Sequence, residues 1–386
     1  MYNFDNAPNR KGTGCFKWDF ADMSFGGKDI LPMWVADMDF ETAQPIIDGI
    51  QRSLKDVVYG YGVLTDKYYD SVISWFKRKH NLDVKKEWIV TIPGVVTALR
   101  YSVQILSEVG DEIIIPTPVY APFYNAVEDF GRIAIKSSLV WENGKYTFDF
   151  EDIERKITSK TKAIMICSPH NPTGRVWDKE ELARICEICE RHNIYIIDDE
   201  IHNDLVFEKE HIIIGKISKD SFERSIICTA PSKTFNIAGI PASNIIIKND
   251  KIRDKFIQIV RKSHNSVCSA IVEPVVCAAY DNCEEWLEEA LKYMRENAKY
   301  FVSRVENEIP NLRVYLPEGT YLMWVDFRGT GKSHEDIKNI LVNQCSLGFN
   351  NGKEYGTEGE GFFRVNLACP RSFVEEAINR LKKVFA

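Results

Sequence analysis

The chain has 386 residues, 45% hydrophobic, 12% aromatic and 27% charged. That length suggests about two or three domains with a core that needs no disulfide or metal staple, and the aromatic content excludes a mainly disordered chain. With 49 basic and 56 acidic residues the net charge is −7, which argues against broad nucleic-acid binding, because that requires a basic footprint.

The first 45 or so residues are irregular and rich in Trp, Met, Phe and Asp. They contain no apolar leader pattern. The longest uncharged stretch, Ile113 to Val127, holds three prolines and is shorter than the ~20 apolar residues a spanning helix needs. The expectation is a soluble, cytoplasmic protein without membrane contact.

Between residues 87 and 248 short apolar runs alternate with helical patterns. The runs are EWIVTI, EIIIP, RIAIKSSLV, KAIMICS, IYIIDD, SIICTA and SNIIIK. Most are nearly continuous Val/Ile stretches, the mark of strands covered on both faces in a largely parallel sheet. The intervening segments TALRYSVQILSEVG, ending at Gly110, and KEELARICEICERHN, ending near Asn193, read as helices. From about residue 282 the texture changes. One long amphipathic helix ends before Pro310. Strand-like runs LRVYLP, TYLMWVDF and GFFRVNLA follow, with helices at HEDIKNILVNQ and SFVEEAINRLKKVF. This is an α/β chain with a smaller α+β unit.

The ten cysteines are scattered, several of them in apolar runs; they read as reduced packing residues. Cys186 and Cys189 form a C-x-x-C pair with no second pair at similar spacing, so a helix face is expected rather than a zinc site. The seven histidines show no H-x-x-x-H pair. No metal site is expected. Gly329–Ser333 (GTGKS) imitates the end of a phosphate-binding loop, but the required first glycine is Asp326, and an ordinary loop is expected.

Open α/β sheets bind ligands beyond the carboxyl ends of their strands. Five such ends carry polar, aromatic or phosphate-friendly groups: Pro93–Val96, Thr117–Tyr120, Ser168–Gly174, Asp199–His202 and Ala230–Lys233. Five together imply a shared ligand. A lysine directly after a buried strand is partly desolvated, which frees an amine for Schiff-base chemistry. Taken alone, Lys233 reads rather as a solvated loop residue, since most lysines are exposed. A carboxylate at Asp199 suits a pyridinium N–H, or a helix cap or a magnesium ion; Asp198 points to the other sheet face. Gly94, Val95 and Val96 open a helix whose free N–H groups favour a phosphate, or form an ordinary turn. Asn171 can donate to a phenolic oxygen and Tyr120 can stack on a flat ring, or they are a turn residue and a packing aromatic.

The segments WVADMDF, PGVVTAL, PVYAPFY, SPHNPTGRVW, DDEIHNDL, APSKTFNIAG and GFFRVNLACP together resemble the pyridoxal-phosphate-dependent class I/II aminotransferase superfamily. WVADMDF, DEIH and EGTYLMWVDFR resemble its cystathionine β-lyase (C–S lyase) branch. The likeness runs from about Met33 to Arg371. It implies the transferase fold of type I: a large domain with a seven-stranded, mostly parallel sheet, and a smaller α+β domain. The expected division is 1–45 as a segment packing with the small domain, 46–283 as the cofactor-binding domain and 284–386 as the small domain.

The resemblance also implies roles. Lys233 holds pyridoxal 5′-phosphate as a Schiff base and then shuttles the proton; Tyr120 stacks on the ring and joins Lys233 among the catalytic residues. Asp199 pairs with the ring nitrogen and Asn171 holds the ring oxygen, with His202 where related transferases keep a tyrosine. Val95, Val96 and Ser232 bind the phosphate, and Tyr61 reaches the phosphate of a neighbouring subunit in a homodimer. Arg364 takes the substrate carboxylate as a bidentate fork, and Ala36 or its neighbours line the substrate side. One departure is Pro241, where many relatives keep a phosphate-binding arginine. The implied reaction is β-elimination on cystathionine or a cysteine S-conjugate, giving thiol, pyruvate and ammonia. The alternatives are transamination on the same fold, or a regulatory protein that keeps the fold and binds a transcription factor.

Overall fold

The computed structural model describes residues 2–55, 58, 60–142, 144–266 and 269–386. Seven apolar runs form one sheet. Its strands are Ile89–Ile92 (β1), Glu112–Thr117 (β2), Ile133–Ser138 (β3), Thr161–Cys167 (β4), Tyr195–Asp199 (β5), Ser225–Thr229 (β6) and Ser243–Ile246 (β7). The spatial order is β1-β7-β6-β5-β4-β2-β3. Only β7 runs antiparallel to its neighbours; the other pairings are parallel.

Alternation places successive side chains on opposite faces. Ile114, Ile164, Ile166 and Ile196 enter one core, shared with Trp75, Trp177 and Trp286. Ile113, Ile115, Met165 and Ile197 enter another, shared with Leu99 and Phe256. Both faces are therefore dry, as continuous apolar runs require. The edge strand β3 departs from this, with most of its residues at least partly exposed, because it has a partner on one side only.

The helices that matter for the site are Asp66–His80 (α1), Val95–Leu106 (α2), Lys179–His192 (α3) and the single turn Pro231–Thr234 (α4). Helix α2 stops at Leu106 with Ser107 extended, four residues before the expected end at Gly110. The Ser107 hydroxyl donates to the Val103 carbonyl at 2.5 Å and satisfies an end carbonyl early. Cys186 and Cys189 lie buried on α3. Burial pushes the Cys186 thiol up to about 12.

Helix Glu284–Glu308 (α5) joins two cores. Trp286, Leu287, Ala290 and Met294 pack with the large sheet. Ala298, Phe301 and Val305 continue the same 3–4 spacing under a three-stranded sheet. That sheet comprises Leu322–Asp326 (β8), Asn350–Asn351 (β9) and Phe362–Asn366 (β10), in the order β8-β10-β9. Helices His334–Asn343 (α6) and Arg371–Phe385 (α7) complete it. LRVYLP forms no strand; Arg313 alone bridges to Asp326, since Pro317 and the flanking turn cut the run short. In the GTGKS segment, Ser333 caps α6 by accepting the Asp336 N–H, the loop reading.

The first 45 residues are more ordered than their composition suggests. They hold two short helices, Phe16–Asp19 and Ala21–Phe25, and a strand Leu31–Pro32 paired with Leu347–Gly348. Phe4, Met38 and Phe40 enter the large core, whereas Leu31 and Met33 enter the smaller one. Buried charges fix this strap. Lys17, 1% exposed, reaches Asp39 at 2.6 Å. Arg10 reaches Asp37 and Asp39, each at 2.6 Å, and Trp18 Nε1 donates to Asp39 at 2.8 Å. Two cations thus offset two carboxylates, as buried charge demands. Among the described residues no helix is long and apolar enough to cross a membrane.

Candidate active site

A cavity of about 500 Å³ opens at the carboxyl ends of the large sheet. Ala36, Val95, Val96, Tyr120, Asn171, Asp199, His202, Ser232, Lys233 and Arg364 all line it. These are the site residues expected from sequence, except for Tyr61. Tyr61 is wholly exposed, with Val58 and Val63 also exposed nearby, and it lies outside this chain's cavity.

Lys233 sits on α4, directly after β6. Its Nζ donates to the Ala36 carbonyl at 2.6 Å. The Tyr321 hydroxyl donates to the same oxygen at 2.9 Å. Burial lowers the Lys233 pKa to about 8; the Arg364 charge adds to this, and Asp37 and Asp199 oppose it. The amine therefore titrates close to physiological pH, with a neutral fraction far above that of a solvated lysine, as a nucleophile or base requires. Asp199 ends β5, buried, and its Oδ1 accepts the Ile201 N–H at 3.1 Å. Burial raises its pKa to about 7, although that N–H and Lys233 pull it back. Such a carboxyl calls for a cationic or N–H partner in the cavity.

His202 completes that wall. Its Nδ1 is buried without a partner. Burial, with Lys233 and Arg364 adding, lowers its pKa to about 3, so the ring is neutral. An unpartnered buried nitrogen lining a cavity is a group prepared for a ligand.

Arg364, on β10, is buried and held in place. Its NH1 donates to Asn171 Oδ1 at 3.1 Å. Its NH2 donates to the Trp34 carbonyl at 2.7 Å and to Asn350 Oδ1 at 2.6 Å. Its Nε is buried and unpartnered. Asn366, two residues on and hence on the same strand face, donates to the Val35 and Asp37 carbonyls, each at 2.6 Å. Asn236, three residues after Lys233, accepts the Met38 N–H at 2.9 Å and donates to the Met38 carbonyl at 3.0 Å. Segment 34–38 is therefore stitched to the small sheet on one side and to the lysine turn on the other. This is what sets the Ala36 carbonyl against Nζ.

The opposite end suits an anion. Gly94 has φ +145°, with open space where a side chain would be, and α2 begins at Val95 with its first-turn N–H groups free of helical partners. Ser243 Oγ is buried without a partner beside Pro241. Reading only the residues after each strand overlooks Ser243. Strand β7 is antiparallel, so its start, paired Ser243 to Ile92, lies at the end where its neighbours finish. Phe16, Trp34, Asn350, Glu354 and Tyr355 also line the cavity; no spacing in the sequence marks them.

The raised Asp199 pKa fixes a sign. The folded carboxyl binds its proton up to about pH 7, the unfolded one only to about pH 4. Stability from this group is full in acid and lost as pH rises through that window. In protein freed of small-molecule ligands, Asp199→Asn is expected to gain about 2–4 kcal/mol at pH 8 and nearly nothing at pH 4. Urea titrations at both values test this; equal effects would contradict it.

The profile of the family described as "Aminotransferase class I and II" matches residues 29–381. The chain is 36% identical over 382 residues to cystathionine beta-lyase PatB of Bacillus subtilis, covering 98% of this chain and 99% of that protein. Among solved structures, a pyridoxal-phosphate-bound protein of Clostridium difficile 630, named as an aminotransferase, superposes with TM-score 0.98 at 40% identity and full coverage of both chains. Cystalysin from Treponema denticola, which contains pyridoxal 5′-phosphate, superposes with TM-score 0.96 at 36% identity, covering 99% of this chain and 98% of that one. Extending over nearly the whole length and both sheets, these likenesses make the chain a member of the class I and II aminotransferase family.

Proposed function

We propose that the chain is a pyridoxal-phosphate-dependent carbon–sulfur lyase acting on cystathionine or related cysteine S-conjugates. The observation that carries this is the half-buried Lys233 amine, with a pKa near 8, sharing one cavity with a buried Asp199. The names of the Bacillus subtilis and Treponema denticola relatives support the lyase branch.

The cavity's donor set fits the cofactor. Asp199 suits a protonated ring nitrogen, which would bring its raised pKa back down. Arg364 occupies Asn171 Oδ1, leaving the Asn171 amide N–H to donate to the ring oxygen; His202 Nδ1 is the second group available there. Tyr120 offers a ring face. The phosphate falls to the N–H groups at Val95 and Val96 and to Ser232 and Ser243. Among the described residues Arg364 is the one arginine lining the cavity, and it lies on the small sheet rather than beside Pro241, so these groups carry more of the binding. When bound, the cofactor supplies an electron sink for the pair left at the substrate Cα.

Arg364 orients the substrate by its α-carboxylate, with Trp34, Asn171 and Asn350 holding the guanidinium in register. Lys233 Nζ would accept the Cα proton in its neutral form. The β C–S bond breaks and the thiolate takes up a proton. Once the lysine reclaimed its bond, the remaining fragment would leave as aminoacrylate and hydrolyse in water to pyruvate and ammonia. The same reading divides the chain at 1–45, 46–283 and 284–386; a separate core under the small sheet, which α5 enters from Ala298 onward, supports a small C-terminal unit.

We also propose that the working unit is a homodimer, with Tyr61 reaching the partner's phosphate. Its full exposure beside Val58 and Val63 supports this, since exposed apolar clusters mark interfaces. Sedimentation of the holoenzyme is expected to give a dimer, and a fully active monomer would contradict the proposal. The name of the Clostridium difficile protein favours a second reading, transamination in the same cavity. Incubation with L-cystathionine, and separately with alanine plus 2-oxoglutarate, separates the two. Thiol and pyruvate release is expected in the first mixture, at least about 10³-fold slower with Lys233→Ala. Glutamate formation alone, or an unchanged rate in the variant, would overturn the lyase reading.

A further inference from the structure

Glu354 and Asp199 are the two carboxylates that line the cavity. Asp199 is buried among the strand ends, whereas Glu354 is an exposed residue. Glu354 also borders a neighbouring cavity of about 220 Å³, which shares Trp34 and Asn350 with the first. The aromatic side chains of Trp34 and Phe16 line the same cavity as Glu354. Those two rings lie 5.0 Å apart, centroid to centroid.

The turn that carries Glu354 is rigid. A Cβ at Gly352 would collide with the carbonyls of Gly359 and Phe362. The Tyr355 carbonyl accepts the Val119 N–H at 2.8 Å and the Tyr124 hydroxyl at 2.7 Å. Glu354 is thus tied to the loop that presents Tyr120. No cation stands within ion-pair distance of its carboxylate among the described residues. Lys338, on the outer side, has Glu335 as its ion-pair partner at 4.0 Å. Arg364 acts on Glu354 only through its field, as does Lys338, and both oppose the rise that burial imposes.

Charge balance then gives the consequence. A substrate α-carboxylate neutralises Arg364, the inner cation that had offset Glu354. The carboxylate is left without that offset in a cavity that Trp34 and Phe16 also line, an arrangement that favours a cation in the substrate's side chain. We infer that Glu354 is a specificity-determining residue that selects leaving groups carrying an ammonium group over neutral ones of the same length. This rests on the lyase reading for the word "leaving", but the charge preference belongs to the cavity itself.

The test uses holoenzyme and two matched pairs of probes. S-(2-Aminoethyl)-L-cysteine and S-propyl-L-cysteine are compared by kcat/KM for pyruvate release. L-Lysine and L-2-aminoheptanoate, which have no thiolate to expel, are compared by Kd from the cofactor's absorbance. With Glu354→Gln the cation-to-neutral ratio is expected to fall about fivefold in each pair, and further with Glu354→Lys. A change below about twofold in both pairs would overturn the inference. If wild type releases no pyruvate while the lysine-to-aminoheptanoate ratio still falls in the variants, the lyase reading fails and the Glu354 preference stands.

Discussion

The site depends on keeping one amine out of water. Lys233 emerges from a strand buried on both faces, and its Nζ rests on the Ala36 carbonyl. Desolvation and the nearby Arg364 charge bring its pKa to about 8, where a solvated lysine would be almost fully protonated at neutral pH. That carbonyl comes from a distant part of the chain and has to be delivered. The strap of residues 2–40 does so through Asn236, Asn366 and Arg364, and the Lys17–Asp39 and Arg10–Asp37 contacts hold the strap itself. The buried charge cluster therefore serves the lysine from a distance.

The sheet supplies the remaining groups by topology. Parallel strands finish at the same edge, so Asp199, Asn171, Tyr120 and Lys233 converge although up to 113 residues separate them. The antiparallel strand β7 adds the residues that precede it. Glycine at 94 leaves the start of α2 open at one end of the cavity, while the small sheet brings Arg364 to the other. The proposed chemistry needs both anion sites, one for a phosphate and one for a carboxylate. A net charge of −7 describes the exterior and says nothing of this inner arrangement.

Much of this was legible in the sequence. The Val/Ile runs identify six of the seven sheet strands cleanly because burial on both faces suppresses polar alternation. The edge strand was legible only in part, since RIAIKSSLV divides into Ile133–Ser138 and Val140–Glu142. The strand ends name Lys233, Asp199 and Asn171, because a parallel sheet makes the position after a strand informative. Ser243 was missed by the same rule. Glu354, Tyr355 and Phe16 were missed because loop residues brought in by tertiary folding carry no period. LRVYLP looked like a strand by composition, yet it pairs at one residue alone, since pairing depends on a neighbour that local sequence does not reveal.

The central claim is that the Lys233 amine carries the cofactor. Reducing the holoenzyme with borohydride converts a C=N link into a stable amine, and peptide mass mapping then locates it. The account predicts that the pyridoxyl mass is found on the peptide containing Lys233, with the visible absorbance bleached in proportion. A label on another lysine, or bleaching without any labelled peptide, would contradict it.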